Sequence, residues 1–234
     1  MPKPWTVVDF ILVVLGGFLG AGIFVAISLL WGEGELLLVL GLAGQYLGHL
    51  GALWLLARGK TDPDLGFSIE TGDLRYLGLG LLLQLVLAIL FRPLTTYFFP
   101  EGESLQQVGS ALAGLESTPA TIAFVVVAVV LAPVTEELTF RGVLLKSMAN
   151  RARSTVIVVT ALVFAAFHLL GLDPAHLLEA SAVILPQLFI VGTALAWVTL
   201  RTNRLGPAIF MHSGFNLLAA IVLLVPPELL EPVS

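Results

Sequence analysis

The chain has 234 residues, 58% hydrophobic and 12% charged, with mean hydropathy +1.00 and net charge −5. A soluble domain carries about 25% charged residues. Half that, with apolar runs longer than about 18 residues, excludes an ordinary soluble fold and predicts an all-α polytopic membrane bundle. The alternating strands of a membrane barrel are missing, and the absence of cysteine excludes disulfides, thiolate catalysis and cysteine metal sites.

The first apolar run, residues 7–31, follows Lys3. It is too long for a signal-peptide core and no small-residue cleavage site follows, so it is read as a retained helix. Gly16 and Gly20 give it a face for close packing, and Gly44 and Gly48 repeat the pattern on a second helix, residues 35–56. That helix also carries Gln45 and His49, read as interhelical hydrogen-bond glue. A polar loop, 57–75, leads to a third helix, 76–97. Near its end, Arg92 can snorkel, and Tyr97, Phe98 and Phe99 resemble an interfacial aromatic belt. The loop 100–119 holds Glu101, Glu103 and Glu116 and no Lys or Arg. The fourth helix runs from 120 to about 148 and the fifth from 154 to 170. After a turn with Asp173, solvated His176 and Glu179, the sixth runs from 180 to 200 and the seventh from 207 to 225. The tail is acidic. No nucleic-acid motif or lipidation motif occurs at either end.

Lysine and arginine cluster on cytoplasmic loops. Here they fall at Lys3, at Arg58, Lys60 and Arg75, at Lys146, Arg151 and Arg153, and at Arg201 and Arg204. Seven helices in one membrane domain satisfy this pattern. The reading is a multi-pass protein of the cell membrane, its amino terminus cytoplasmic and its carboxyl terminus outside.

Three polar clusters interrupt the apolar helices. The first is Glu136, Glu137 and Arg141 on the fourth helix. The second is Phe164 and His168 on the fifth, and the third is His212 and Asn216 on the seventh. A charge near the bilayer centre costs about 2.5 kcal/mol or more, so three within six positions need a reason. The plainer reading is a helix end at the membrane surface with Glu137 and Arg141 as an ordinary i,i+4 pair. Neighbours in a helix point about 100° apart, so Glu136 and Glu137 can serve different partners. A rise of about 1.5 Å per residue places Glu136, His168 and Asn216 about 15–20 Å from the inner helix ends. Pro133 frees a backbone carbonyl and permits a kink. These positions predict a water-filled cavity opening to the cytoplasm. A buried carboxylate can act as a base and a histidine can help deprotonate water; imidazole and amide groups can donate to an oxyanion. No serine lies in a nucleophile motif, so attack by activated water on a carbonyl is the reaction that fits.

Glu136-Glu137-x-x-x-Arg141 with Phe140-Arg141-Gly142 resembles the first motif of the CAAX-protease and bacteriocin-processing (ABI) family of intramembrane endopeptidases. Phe164-x-x-x-His168 resembles its second motif and His212-x-x-x-Asn216 its third, while the run 201–208 is also similar to family members. The resemblance covers about residues 120–220, the catalytic core, and leaves 1–119 as accessory membrane helices. It implies an endopeptidase acting near the carboxyl end of peptides or prenylated proteins. Glu136 and His168 would activate water, His212 and Asn216 would hold the oxyanion, and Glu137, Arg141 and Phe164 would support them. The implied partners are a peptide or protein substrate, lipidated or not, and the lipid bilayer, with no nucleic acid. The family has been described both as metal-dependent and as a metal-free glutamate protease. With no H-E-x-x-H and asparagine a poor zinc ligand, the expectation is no cofactor; a zinc enzyme would use Glu136, His168 and His212. A non-catalytic peptide-binding or immunity protein and a proton-relaying transporter are the competing classes. Neither repeats nor paired broken helices support the transporter.

Overall fold

The computed structural model describes residues 3–31, 34–100 and 105–225. Among them the chain is all helical apart from loops and one isolated β-bridge, and seven helices are long and apolar enough to cross a membrane. Glu101, Glu103 and the acidic tail lie outside the described residues. Helix α1 is Val7–Trp31, α2 is Glu35–Ala57 and α3 is Leu74–Phe98. The seven-residue α4, Gln107–Ala113, lies within what reads as loop in the sequence; two turns are too few to show an apolar period. Helix α5 spans Thr118–Ser147, α6 is Arg153–Phe167, α7 is Leu177–Thr202 and α8 is Gly206–Leu224.

The glycine faces of α1 and α2 meet as expected. A Cβ added to Gly48 would stand 2.3 Å from the Gly16 carbonyl oxygen, and one on Gly20 2.3 Å from that of Gly44. Only glycine lets the two backbones approach this closely. His49 departs from expectation. It is fully buried, and a Cβ on Gly17 would overlap its ring. Neither ring nitrogen makes a hydrogen bond of good geometry, although the ring approaches the Val14 backbone. His49 is therefore a packing residue between α1 and α2, set 6.3 Å from the Phe167 ring. Phe99 likewise is buried in edge contact with the exposed His176, at 5.8 Å, and only Tyr97 of the aromatic trio is fully exposed.

Helix α5 is not uniform. Ser117 caps it, its hydroxyl accepting from the Ala120 N–H, and Pro119 occupies the first turn, where its missing N–H costs nothing. Two π-helical stretches follow, Val127–Leu131 and Leu138–Leu144. In the first, the Ala132 N–H bonds the Val127 carbonyl five residues back. Pro133 would bond Ala128 in that register but has no N–H. The freed Ala128 carbonyl accepts from Asn216 Nδ2 at 2.8 Å. The kink anticipated from Pro133 is thus a π-turn whose unpaired carbonyl is satisfied by a neighbouring helix.

The ends of the bundle differ. At the end carrying the basic residues, the 58–73 loop folds back over the helices. Arg204 pairs with Asp73 through two bonds of 2.9 Å and reaches Glu70 at 3.3 Å, while the Leu205 N–H bonds the Gly66 carbonyl. Donation to the Asp73 carboxylate raises the Arg204 guanidinium above its ordinary pKa. Lys146 donates to the Asp64 carbonyl, and Lys60 pairs with Asp9 at 2.5 Å. Leu65 packs over Gly142.

Candidate active site

Glu136 and Glu137 are adjacent on α5 and face opposite duties. Glu137 is fully buried. One of its oxygens, Oε1, accepts from Arg141 Nη1 at 3.1 Å and faces His212 Nδ1 at 3.0 Å. Arg141, also buried, donates through Nη2 to the Gly192 carbonyl on α7 at 3.1 Å, and its guanidinium lies 4.4 Å from the Phe164 ring centroid. This cation joins α5, α6 and α7 below the site. Breaking such a buried pair by removing one partner costs about 3–5 kcal/mol, because the other charge stays buried. Phe164 is a hub rather than filler. Its ring stands 4.7 Å from His168, 5.7 Å from His212 and 5.3 Å from Phe140, all edge-on.

Glu136 turns instead to a cavity of about 450 Å³. Its Oε2 lies 3.9 Å from His168 Nε2 and 3.9 Å from His212 Nε2, and has no hydrogen-bond partner among the described residues. The far nitrogen of each ring is engaged. His168 Nδ1 donates to the Phe164 carbonyl at 2.8 Å, and Glu137 holds His212 Nδ1. Both Nε2 atoms are thereby presented to the cavity. Asn216 lines the same space; one of its two amide N–H groups serves Ala128, which leaves the other free for a ligand. All seven residues singled out in the sequence therefore converge, four facing the cavity and Glu137, Arg141 and Phe164 behind them.

The first π-stretch helps line the cavity. Phe124, Ala128, Ala132 and Glu136 share its wall at intervals of four. In a regular α-helix that series drifts about 40° per step. The wider π-turn reduces the drift and keeps the four on one face.

The cavity does not open where the sequence placed it. From Glu136 its lining on α5 runs to Phe124, away from the basic end, and it ends against Gln106 and Val108 at the start of α4. The lining thus runs away from the basic end, the end at which helix depth had placed its mouth. Depth alone could not show that the 58–73 loop seals the basic end.

One group was missed in the sequence. Tyr46 of α2 brings its hydroxyl against the Glu136 carboxylate, and Gln45 beside it faces the cavity. Tyr46 stands three residues before His49, a spacing that shares a helix face. A tyrosine in an apolar helix also reads as packing, which concealed it.

Two ligands at 2.0–2.1 Å from one tetrahedral zinc stand about 3.3 Å apart, whereas Glu136 stands 3.9 Å from each imidazole. Among the described residues no group of three or more His, Cys, Asp or Glu is placed to hold a metal ion.

Seven apolar helices around a buried charged centre define a multi-pass membrane protein with an intramembrane polar site. The family model for type II CAAX prenyl endopeptidases, Rce1-like, matches residues 118–218, from the start of α5 to near the end of α8. That stretch is similar to this protease family, the one its motifs resemble, and it holds all seven site residues. No curated protein and no solved structure matches the chain.

Proposed function

We propose that the chain is an intramembrane endopeptidase that hydrolyses a peptide bond with water activated by Glu136. One observation carries this reading: a carboxylate oxygen and two imidazole Nε2 atoms converge at the floor of a cavity, each ring fixed through its other nitrogen. The 3.9 Å separations leave no direct bond between Glu136 and either imidazole and leave Glu136 and His168 able to share one water. The proposal is metal-free.

In the reaction the water oxygen bonds to the peptide carbonyl carbon as Glu136 takes its proton. His168 Nε2 holds the water in line. Glu137 Oε1 holds His212 Nδ1, which keeps the ring turned with Nε2 toward the cavity. His212 Nε2–H and the free amide N–H of Asn216 then donate to the oxyanion. Collapse of the tetrahedral intermediate breaks the C–N bond, and the proton held by Glu136 passes to the departing amine. Residues 1–119 act as accessory helices: α1 packs on α5 through Phe10 and Phe140, 5.4 Å apart, and α2 supplies Tyr46.

The test is Glu136→Gln. Membrane and released peptides from cells with the wild-type and variant chains are compared by mass spectrometry. A peptide left uncut in the variant, with cleavage reduced at least about 10²-fold and insertion unchanged, is expected. Wild-type cleavage by the glutamine variant would rule Glu136 out as the base.

A further inference from the structure

The mechanism leaves open which side of the membrane the substrate comes from, and two independent features bear on it. The first is charge. Nine of the eleven Lys and Arg residues lie at one end of the bundle, the others being Arg92 and buried Arg141. The positive-inside rule makes that end cytoplasmic. The second is the shape of the cavity. On α8, which leaves the basic end at Gly206, the lining runs from His212 through Asn216 and Ala219 to Leu223, close to the opposite end. On α7, which runs the other way, the lining is confined to the first half, Ile184 to Val191. Four helices thus agree on direction, counting α2 and α5. The basic end, by contrast, is closed by the 58–73 loop through the Arg204–Asp73 pair and the contact of Leu65 over Gly142.

We propose that the substrate reaches Glu136 from the extracytoplasmic side. It is then a polypeptide that has crossed the membrane, or is anchored in its outer half, with apolar residues beside the cleaved bond. The walls support the second part. Leu42, Leu112, Phe124 and Leu188 make them mainly apolar, and the polar groups gather at the floor. An apolar stretch seated there is desolvated, and its carbonyl meets the polar cluster at the floor. Such a substrate is supplied by secretion across the membrane or by membrane insertion, and the product with the new amino terminus is released outward.

This proposal rests on the protease reading for its substrate and on geometry alone for its direction, and the experiment reads the direction separately. The chain has no cysteine, so single cysteines can be placed at exposed Ser110 on α4, at Ala219 in the cavity wall and at exposed Asn150 at the basic end. Each is treated with a membrane-impermeant maleimide in right-side-out and in inverted vesicles. Ser110→Cys and Ala219→Cys should label in right-side-out vesicles, Ala219→Cys more slowly, and Asn150→Cys only in inverted ones. Labelling of Ala219→Cys solely from the side that labels Asn150→Cys would overturn the access route. So would its silence from both sides, or labelling of Asn150→Cys from the outside. None of these outcomes depends on cleavage, so a failure of the protease reading shows only in the Glu136→Gln comparison.

Discussion

The two ends of this bundle are built from different forces. The basic end is closed by charge: Arg204 on Asp73 and Glu70, Lys60 on Asp9, and Lys146 on a loop carbonyl. At the opposite end the described contacts join side chains to backbone groups and backbone to backbone. Gln107 Nε2 reaches the Leu172 carbonyl at 2.9 Å, Gln106 pairs with Leu172 as a β-bridge, and Glu35 holds the start of α5. Loops at an aqueous surface can be fixed at little cost by ion pairs, whereas a cavity that must receive an apolar segment cannot be crossed by them. The comparison teaches that in this chain anchoring and reactivity are separated along the membrane normal, with the Glu137–Arg141 pair at the boundary.

If that division is right, damage to the closed end should cost stability and spare the chemistry. Asp73 is buried and holds Arg204 through both oxygens, and it also accepts from the Glu70 N–H at 2.8 Å. Asp73→Ala removes charge-assisted bonds whose loss costs about 2 kcal/mol, or a fall in Tm of about 5 °C in detergent. At a temperature where the variant is folded, kcat/KM should stay within about threefold of wild type. A variant that melts normally but cleaves tenfold more slowly would show that the basic end belongs to the site.

Tyr46 probes the other end. Tyr46→Phe keeps the ring beside His49 and removes the hydroxyl that meets Glu136. A lost hydrogen bond to a charged group corresponds to about tenfold in rate. The expected result is a tenfold fall in kcat with KM and Tm unchanged. Unaltered kcat would mean that Glu136 is oriented by α5 alone.

The helices were legible because the bilayer enforces long apolar runs. Helix α1 begins and ends where its composition places it, and the other spans shift by at most three residues at their ends. The motif residues were legible because charge inside a membrane has few innocent explanations. What could not be read was relational. Nothing in the order of residues says that Asn216 spends one N–H on the carbonyl freed at Ala128, or that His49 is sealed under Gly17. The direction of the cavity was misjudged for the same reason. Depth along a helix is a property of one element, while closure of an end depends on a loop that crosses several.

The smallest effect belongs to the end opposite the basic residues. Glu35 accepts from the backbone N–H groups of Glu116 at 2.7 Å and Ser117 at 2.8 Å. The Glu116 bond first, then the Ser117 bond, hold its carboxyl below the ordinary glutamate pKa. A depressed carboxyl contributes stability above its unfolded pKa and loses that contribution as pH falls through the folded value. The window therefore lies below about pH 4. The carboxylate is open to water, so the contribution is screened and small. Glu35→Gln should lower Tm at pH 7 by about 1 °C, and the gap between variant and wild type should close at pH 3. Activity should not change, since Glu35 lies at the far end of α2 from the floor of the cavity. A gap that persists at pH 3 would show that the amide loses shape rather than charge. A large fall in cleavage at pH 7 would show that the rim, and with it the seating of α5, is part of the path to Glu136.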